Sequence, residues 1–387
     1  MRLRKIFYLL ILIFYLLSFG ELPAQKSNFK LTGTLNEFPN NTKVIFIYSN
    51  LDDFVLDTNI LNIYNNIFHF TGSLKTPQLF QLEFSNSEFD VITNYMFLDT
   101  GEQTISIDKY DLKFKSYFIN GSTINQHYLN DFLPLLKKYD SLHYDWEKQM
   151  QKLYDQNEGL TLEKKKGLLR TKYINNIQPL RDSALLHFTL KKTDPYISLW
   201  LLNEYIHANG YSQIYKTILD LIPDKYLQSN IGNLVQKNCE DLSKTAIGET
   251  FPTLQLVDLN HKPLELSYIK STSKFILIDF WFAHCGACIR QFPFLKDIYQ
   301  QFSRKYFTIN SISIDNEKNI ALAKKIVSDQ KIKWPNFFDV DGLNILKIIG
   351  NTFPSNVLLD SGGKIIAKNI EPIILLDFLK RKKSEGL

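Results

Sequence analysis

The stretch Trp281–Arg290, WFAHCGACIR, places two cysteines three residues apart with a histidine directly before the first. Four chemistries use such a pair: haem attachment, zinc ligation, a structural disulfide, or dithiol exchange. A c-type haem site needs histidine directly after the second cysteine, and Ile289 stands there. Structural zinc usually takes four Cys or His ligands. Cys285, Cys288 and His284 are at hand, but no second Cys/His pair lies nearby, and His261 could join only by folding back. A purely structural disulfide would close a very short loop and stabilise little. Dithiol exchange fits the surroundings best, and it calls for no cofactor and no resident metal.

That chemistry needs the first sulfur to sit where a thiolate is favoured. The run KFILIDFWFA, at 274–283, is apolar without alternation, as in a strand buried on both faces. It ends just before Cys285. The following IRQFPFLKDIYQQF has helical character, so a helix begins at or near Cys285. The unpaired N–H groups and dipole at its start favour thiolate on Cys285. Cys288 falls within the first turn, where it can resolve a mixed disulfide formed by Cys285. Asp279 interrupts the buried strand, and a carboxylate there is costly unless used or paired. His284, when protonated, adds positive charge beside the first sulfur. The helix start and a protonated His284 are expected to lower the Cys285 pKa below that of an ordinary thiol, with Asp279 opposing them if ionised, and the balance is the moderate lowering that suits a reductase or isomerase.

The elements from 248 to 384 read β-α-β-α-β-β-α, a mixed sheet with helices on both faces. Ahead of them, residues 122–240 carry apolar residues at helical spacing, with Pro179, Pro195 and Asn209-Gly210 as breaks. Residues 28–119 read as short strands, FKLTGTL, KVIFIYS, NIFHFTGSL, QLFQLEF, TISI and KFKSYFI, and imply a small antiparallel sandwich or barrel. The fold class is therefore multidomain: an N-terminal all-β domain, a helical middle and a C-terminal α/β domain.

The N-terminus, MRLRKIFYLLILIFYLLSFGELPAQKS, has a basic start, a short apolar run and small residues after it. It reads as a secretory signal peptide over 1–24, with an uncleaved membrane anchor as the alternative. The expected location is the periplasm or cell envelope. The net charge is +5, but Arg2, Arg4, Lys5 and Lys380–Lys383 crowd the two ends. The rest is near balance, which argues against nucleic acid as a partner. With Cys239 the only other cysteine, the cores must fold by packing rather than by cross-links. Cys239 itself reads as a small buried hydrophobe.

The segments FILIDFWFAHCGACIRQFP, WPNFFD and GNTFPSNVLLDSGGKI resemble the thioredoxin superfamily, and within it the exported TlpA/ResA-like thiol-disulfide oxidoreductases of the Bacteroidetes type. The resemblance covers 248–384. It implies Cys285 as nucleophile, Cys288 as resolving cysteine and Asp279 as proton relay for Cys288. It also implies a cis-proline at Pro354, preceded by Phe353, and a helix kink at Pro293. Trp281, His284, Gly286 and Ala287 flank the dithiol as modulating positions. His284 stands where the family usually has Trp, and Ala287 where it usually has Pro. The implied partners are protein disulfide substrates and a membrane-bound electron donor. The alternatives are an oxidant or isomerase, or an envelope binding protein whose dithiol is not catalytic. A looser likeness, through KLTGTL, VLDTNI and NNIFHFTGSL, links 28–119 to the module DUF4369.

Overall fold

The computed structural model describes residues 27–39, 41–50, 55–111, 116–156, 160–260, 262–265 and 272–386. The expected signal peptide and His261 lie outside them. The chain divides into two compact units, 1–130 and 131–387.

The described residues of the first unit are mostly β, with a short 3-10 turn at Lys109–Asp111. Strands β1 (Phe29–Asn36), β2 (Lys43–Asn50), β3 (Val55–Leu61), β4 (Ile63–Tyr64), β5 (Ile67–Gly72), β6 (Gln78–Ser85), β7 (Asp90–Ile92), β8 (Met96–Leu98), β9 (Gly101–Asp108) and β10 (Ile119–Asn120) precede a short helix α1 (Thr123–His127). They form two sheets, ordered β10-β9-β1-β5-β4 and β3-β2-β6-β7, with β8 beside β6. Along β1, residues alternate between buried and exposed or half-buried. The inward residues of both sheets, Leu31, Phe46, Phe68, Leu82 and Ile105 among them, share one core, so the unit is a sandwich. Phe46 stacks on Phe70 and Phe80 at 4.1 and 4.8 Å between ring centres. His69 is exposed on β5, as the alternation implies. Two details depart from the expectation. β1 pairs with β9 in parallel rather than antiparallel. Of the described part of KFKSYFI, Ser116–Phe118 lie outside strands and Ile119 is in β10, whose ladder to β9 spans Ile119 and Asn120.

The second unit opens with helices α2 (Lys137–Tyr154), α3 (Leu160–Lys172), α4 (Gln178–Leu190), α5 (Pro195–Asn209), α6 (Gln213–Asp220), α7 (Asp224–Leu227) and α8 (Asn230–Ser243). Pro179 does not open a gap. A π-helical turn at Tyr173–Ile177 carries the chain from α3 into α4, and Pro179 sits in the first turn of α4, where a missing N–H costs nothing. α5 is the buried centre of this region. Asp194 caps it by accepting from the Tyr196 N–H at 3.1 Å, Pro195 starts it, and Gly210 ends it at φ 74°. Ile197 through Asn203 are all buried, a helix apolar around most of its girth.

The α/β part carries β11 (Gln255–Asp258), β12 (Pro263–Glu265), β13 (Phe275–Trp281), α9 (Gly286–Gln301), β14 (Phe307–Ser313), α10 (Ile320–Asp329), β15 (Asn336–Phe338), α11 (Ile345–Ile349), β16 (Ser355–Asp360), β17 (Ile365–Lys368) and α12 (Pro372–Ser384). The sheet order is β12-β11-β15-β14-β13-β16-β17. β13 runs parallel to β14 and antiparallel to β16. Every residue of β13 and β14 is buried, as the unbroken apolar runs imply. Leu277, Trp281, Phe307 and Ile309 face a core shared with α9, α10 and α12. Ile276, Ile278, Phe280 and Ile312 face a second core closed by α11. The helical part joins this domain through Arg170 of α3, whose Nε and Nη2 donate to Glu371 at 2.6 and 3.1 Å.

Candidate active site

Strand β13 ends at Trp281, and a tight loop leads into α9. The Cys285 N–H donates to the Phe282 carbonyl at 2.9 Å, and Gly286 N–H to the His284 carbonyl at 3.1 Å. Cys285 is the N-cap of α9. Its sulfur accepts from the Cys288 N–H at 3.1 Å, so one of the donors in the first turn of the helix points at that atom. Cys285 and Cys288 are disulfide-bonded, with Cα atoms 5.3 Å apart. In this oxidised form both are nearly covered, at 5% and 2% exposure. Pro293 lies inside α9, as expected. It has no N–H for the preceding turn.

The sheet brings the expected residues to this point. Cys285, Cys288 and Trp281 belong to one core cluster, and Ala287, Phe282 and Phe353 pack against it at half exposure. Trp281 is fully buried edge-on to Phe292, 5.2 Å between ring centres, and its indole N–H has no hydrogen-bond partner among the described residues. The Phe353-Pro354 bond is cis. The Phe353 ring meets Phe282 edge-on at 5.4 Å. His284 and Gly286 are exposed at the mouth.

Asp279 lies on the β13 face that carries Leu277 and Trp281, the face covered by α9. Its Oδ2 accepts from the Ser311 hydroxyl at 2.9 Å, and Ser311 in turn accepts from the Trp334 indole N–H at 2.8 Å. Burial pushes its pKa up to about 7, and the Ser311 donor opposes that only in part. A buried carboxyl that titrates near neutrality can take or give a proton at working pH.

Three contributors escape the motif. Asp315 follows β14, and its Oδ2 accepts from the Ala283 N–H at 2.9 Å and the Ser313 hydroxyl at 2.7 Å, pinning the loop two residues before Cys285. Ser311 and Trp334 hold Asp279 as described. The one sequence signal was a polar residue breaking an apolar run, as Ser311, Ser313 and Asp315 do in SISID. Cys239 is buried in α8, apart from this cluster. Burial pushes its thiol up to about 11.

Residues 246–377 match the Redoxin family model. The C-terminal domain is thioredoxin-like in fold, in keeping with that match. The thioredoxin-like domain is similar to the thiol-disulfide oxidoreductase ResA of Bacillus cereus, at 28% identity over 134 residues, 34% of this chain and 73% of the relative. ResA of Bacillus subtilis is 26% identical over 136 residues, 35% of this chain and 72% of the relative. Among solved structures, the thioredoxin domain of a thiol-disulfide oxidoreductase from Bacteroides vulgatus is 30% identical, with 35% of this chain and 97% of that one covered and a TM-score of 0.31. The disulfide at the start of α9 and the matches to the family model and to ResA support thiol-disulfide chemistry in the thioredoxin-like domain.

Proposed function

We propose that the protein is an exported thiol-disulfide oxidoreductase that reduces disulfides of extracytoplasmic proteins. The observation that carries this reading is Cys285 at the N-cap of α9, bonded to Cys288 and backed by buried Asp279. In the reduced protein the Cys285 thiolate attacks one sulfur of a substrate disulfide, and the other sulfur leaves as a thiolate. Cys288 loses its proton, with Asp279 as the relay, and attacks the Cys285 sulfur. The second substrate thiol leaves. Two electrons pass to the substrate, and the protein is left with the Cys285–Cys288 disulfide. Electrons return from a membrane-bound donor, because the surrounding compartment is oxidising. An extended substrate segment pairs with the backbone beside Pro354.

The test is reduction of insulin by the full chain, recycled with dithiothreitol. Cys285→Ser should abolish turnover, and Cys288→Ser should accumulate a mixed disulfide. A Cys285→Ser protein as active as the parent would remove the reading. The reduction potential sets the direction: a value near −120 mV, that of a strong oxidant, would reverse it, and one at or below about −200 mV supports a reductase.

A further inference from the structure

The helical region grips the loop that carries the cis-proline. α5 ends at Asn209, and the last carbonyls of a helix have no partner within it. Thr352, two residues before Pro354, supplies one from across the unit. Its hydroxyl lies 3.1 Å from both the His207 and the Ala208 carbonyls and donates to this pair. A second anchor sits four residues earlier, where the buried Thr245, just after α8, donates its hydroxyl to the Ile348 carbonyl. The segment 348–352 is therefore fastened at both ends to the helical region. From Thr352 the chain runs directly into Phe353, whose ring meets Phe282, and the Phe282 carbonyl holds the Cys285 N–H. β16 begins only at Ser355, so the backbone at Phe353 lies outside the sheet ladder.

We propose that Thr352 is a positioning residue through which the helical region, and not the thioredoxin-like domain alone, sets how well an extended protein segment docks beside Cys285. This rests on the thiol-disulfide reading above. The recognised class is a disulfide within extended polypeptide, which must pair along the cis-proline loop. A small disulfide has no strand to lay there and depends on the sulfurs alone.

The test uses the full chain with two probes, insulin and glutathione disulfide. Thr352→Val keeps the shape and removes the donor. It should raise the KM for insulin about three- to tenfold, the range expected for one lost hydrogen bond, while kcat changes less than about twofold. The KM for glutathione disulfide should rise less than about twofold, and Thr352→Ser should restore the insulin value. Three results would overturn the proposal: an unchanged insulin KM, an equal rise for both probes, or a serine variant no better than valine. A parent protein that reduces neither probe would instead remove the thiol-disulfide reading, and this inference with it. A parent active on both, with Thr352→Val unaltered, would remove only the inference.

Discussion

The sheets of the N-terminal sandwich and of the thioredoxin-like domain use similar residues for different ends. β1 is covered on one side only, and its burial alternates along FKLTGTLN. β13 is covered on both, and FILIDFW is buried throughout. A one-sided sheet has a solvent face on which polar residues rest without cost. A two-sided sheet does not, so any polar group in it must be held by partners or change its proton affinity. That is why Asp279 is perturbed and why Ser311 and Trp334 are needed around it. The chemistry sits where burial is most complete, at the end of the strand that can least tolerate a charge.

The sharpest way to break this comparison is a scan of adjacent residues. Ile276→Ala and Leu277→Ala point to opposite faces, yet each should destabilise the α/β part by about 2–5 kcal/mol. On β1, Leu31→Ala should cost as much, while Lys30→Ala and Thr34→Ala should stay within about 0.5 kcal/mol. Thermal transitions followed by calorimetry would show the contrast, since separate units need not melt together. A tolerant Ile276 would mean that α11 does not cover its face.

Asp279 sharpens the same point. Its folded pKa, about 7, lies above the ordinary carboxyl value of 3.8. Between those values the folded protein holds a proton that the unfolded chain has released. Stability therefore falls as pH rises through that window, and the full cost is present above about pH 7. Asp279→Asn removes a charge that is costly only when ionised. It should stabilise the protein by up to about 4 kcal/mol at pH 8 and by almost nothing at pH 4. If the carboxyl relays the Cys288 proton, the same change should slow mixed-disulfide resolution by about a hundredfold, the lower range for a lost general base. Gain of stability with loss of rate marks a group kept for function. Loss of both would mark it as structural.

What the sequence shows and what it hides follow the same division. The strand into Cys285 and the pair at 285 and 288 were legible, because local patterns dictate them: an unbroken apolar run and two cysteines three apart. Asp279 stood out as a charge in that run, and Pro354 only through the family resemblance. The expected order β-α-β-α-β-β-α lacked β15 and α11, whose three and five residues are too short for a periodicity to show. The parallel β1–β9 pairing was not legible, because it joins segments some 70 positions apart that carry no shared local signal. The π-helical turn at Tyr173–Ile177 was hidden by Pro179, which reads as a break but serves as a helix start. Asp315 leaves no local mark of its role, because that role depends on the Ala283 N–H of another strand's loop. The grip of α5 on Thr352 spans 145 positions and leaves no trace in either segment.

The smallest effect expected is at Cys239, and it sets the boundary of the chemistry. A thiol exchanges disulfides as thiolate, so its reactivity follows its pKa and its access. Cys239 fails on both. It is 3% exposed in α8, and burial pushes its pKa up to about 11, with Asp220 raising it further and Lys216 only partly offsetting this. At pH 7 the thiolate fraction is about one in ten thousand. Cys239→Ser should leave insulin reduction within about twofold and lower stability by about 1 kcal/mol, since a hydroxyl replaces a well-packed sulfur. Iodoacetamide added to the folded, reduced protein should label Cys285 within minutes and leave Cys239 unlabelled until the chain is unfolded. Rapid labelling of Cys239, or a tenfold loss of turnover in the serine variant, would show that the helical region takes part in electron transfer as well as in holding the cis-proline loop.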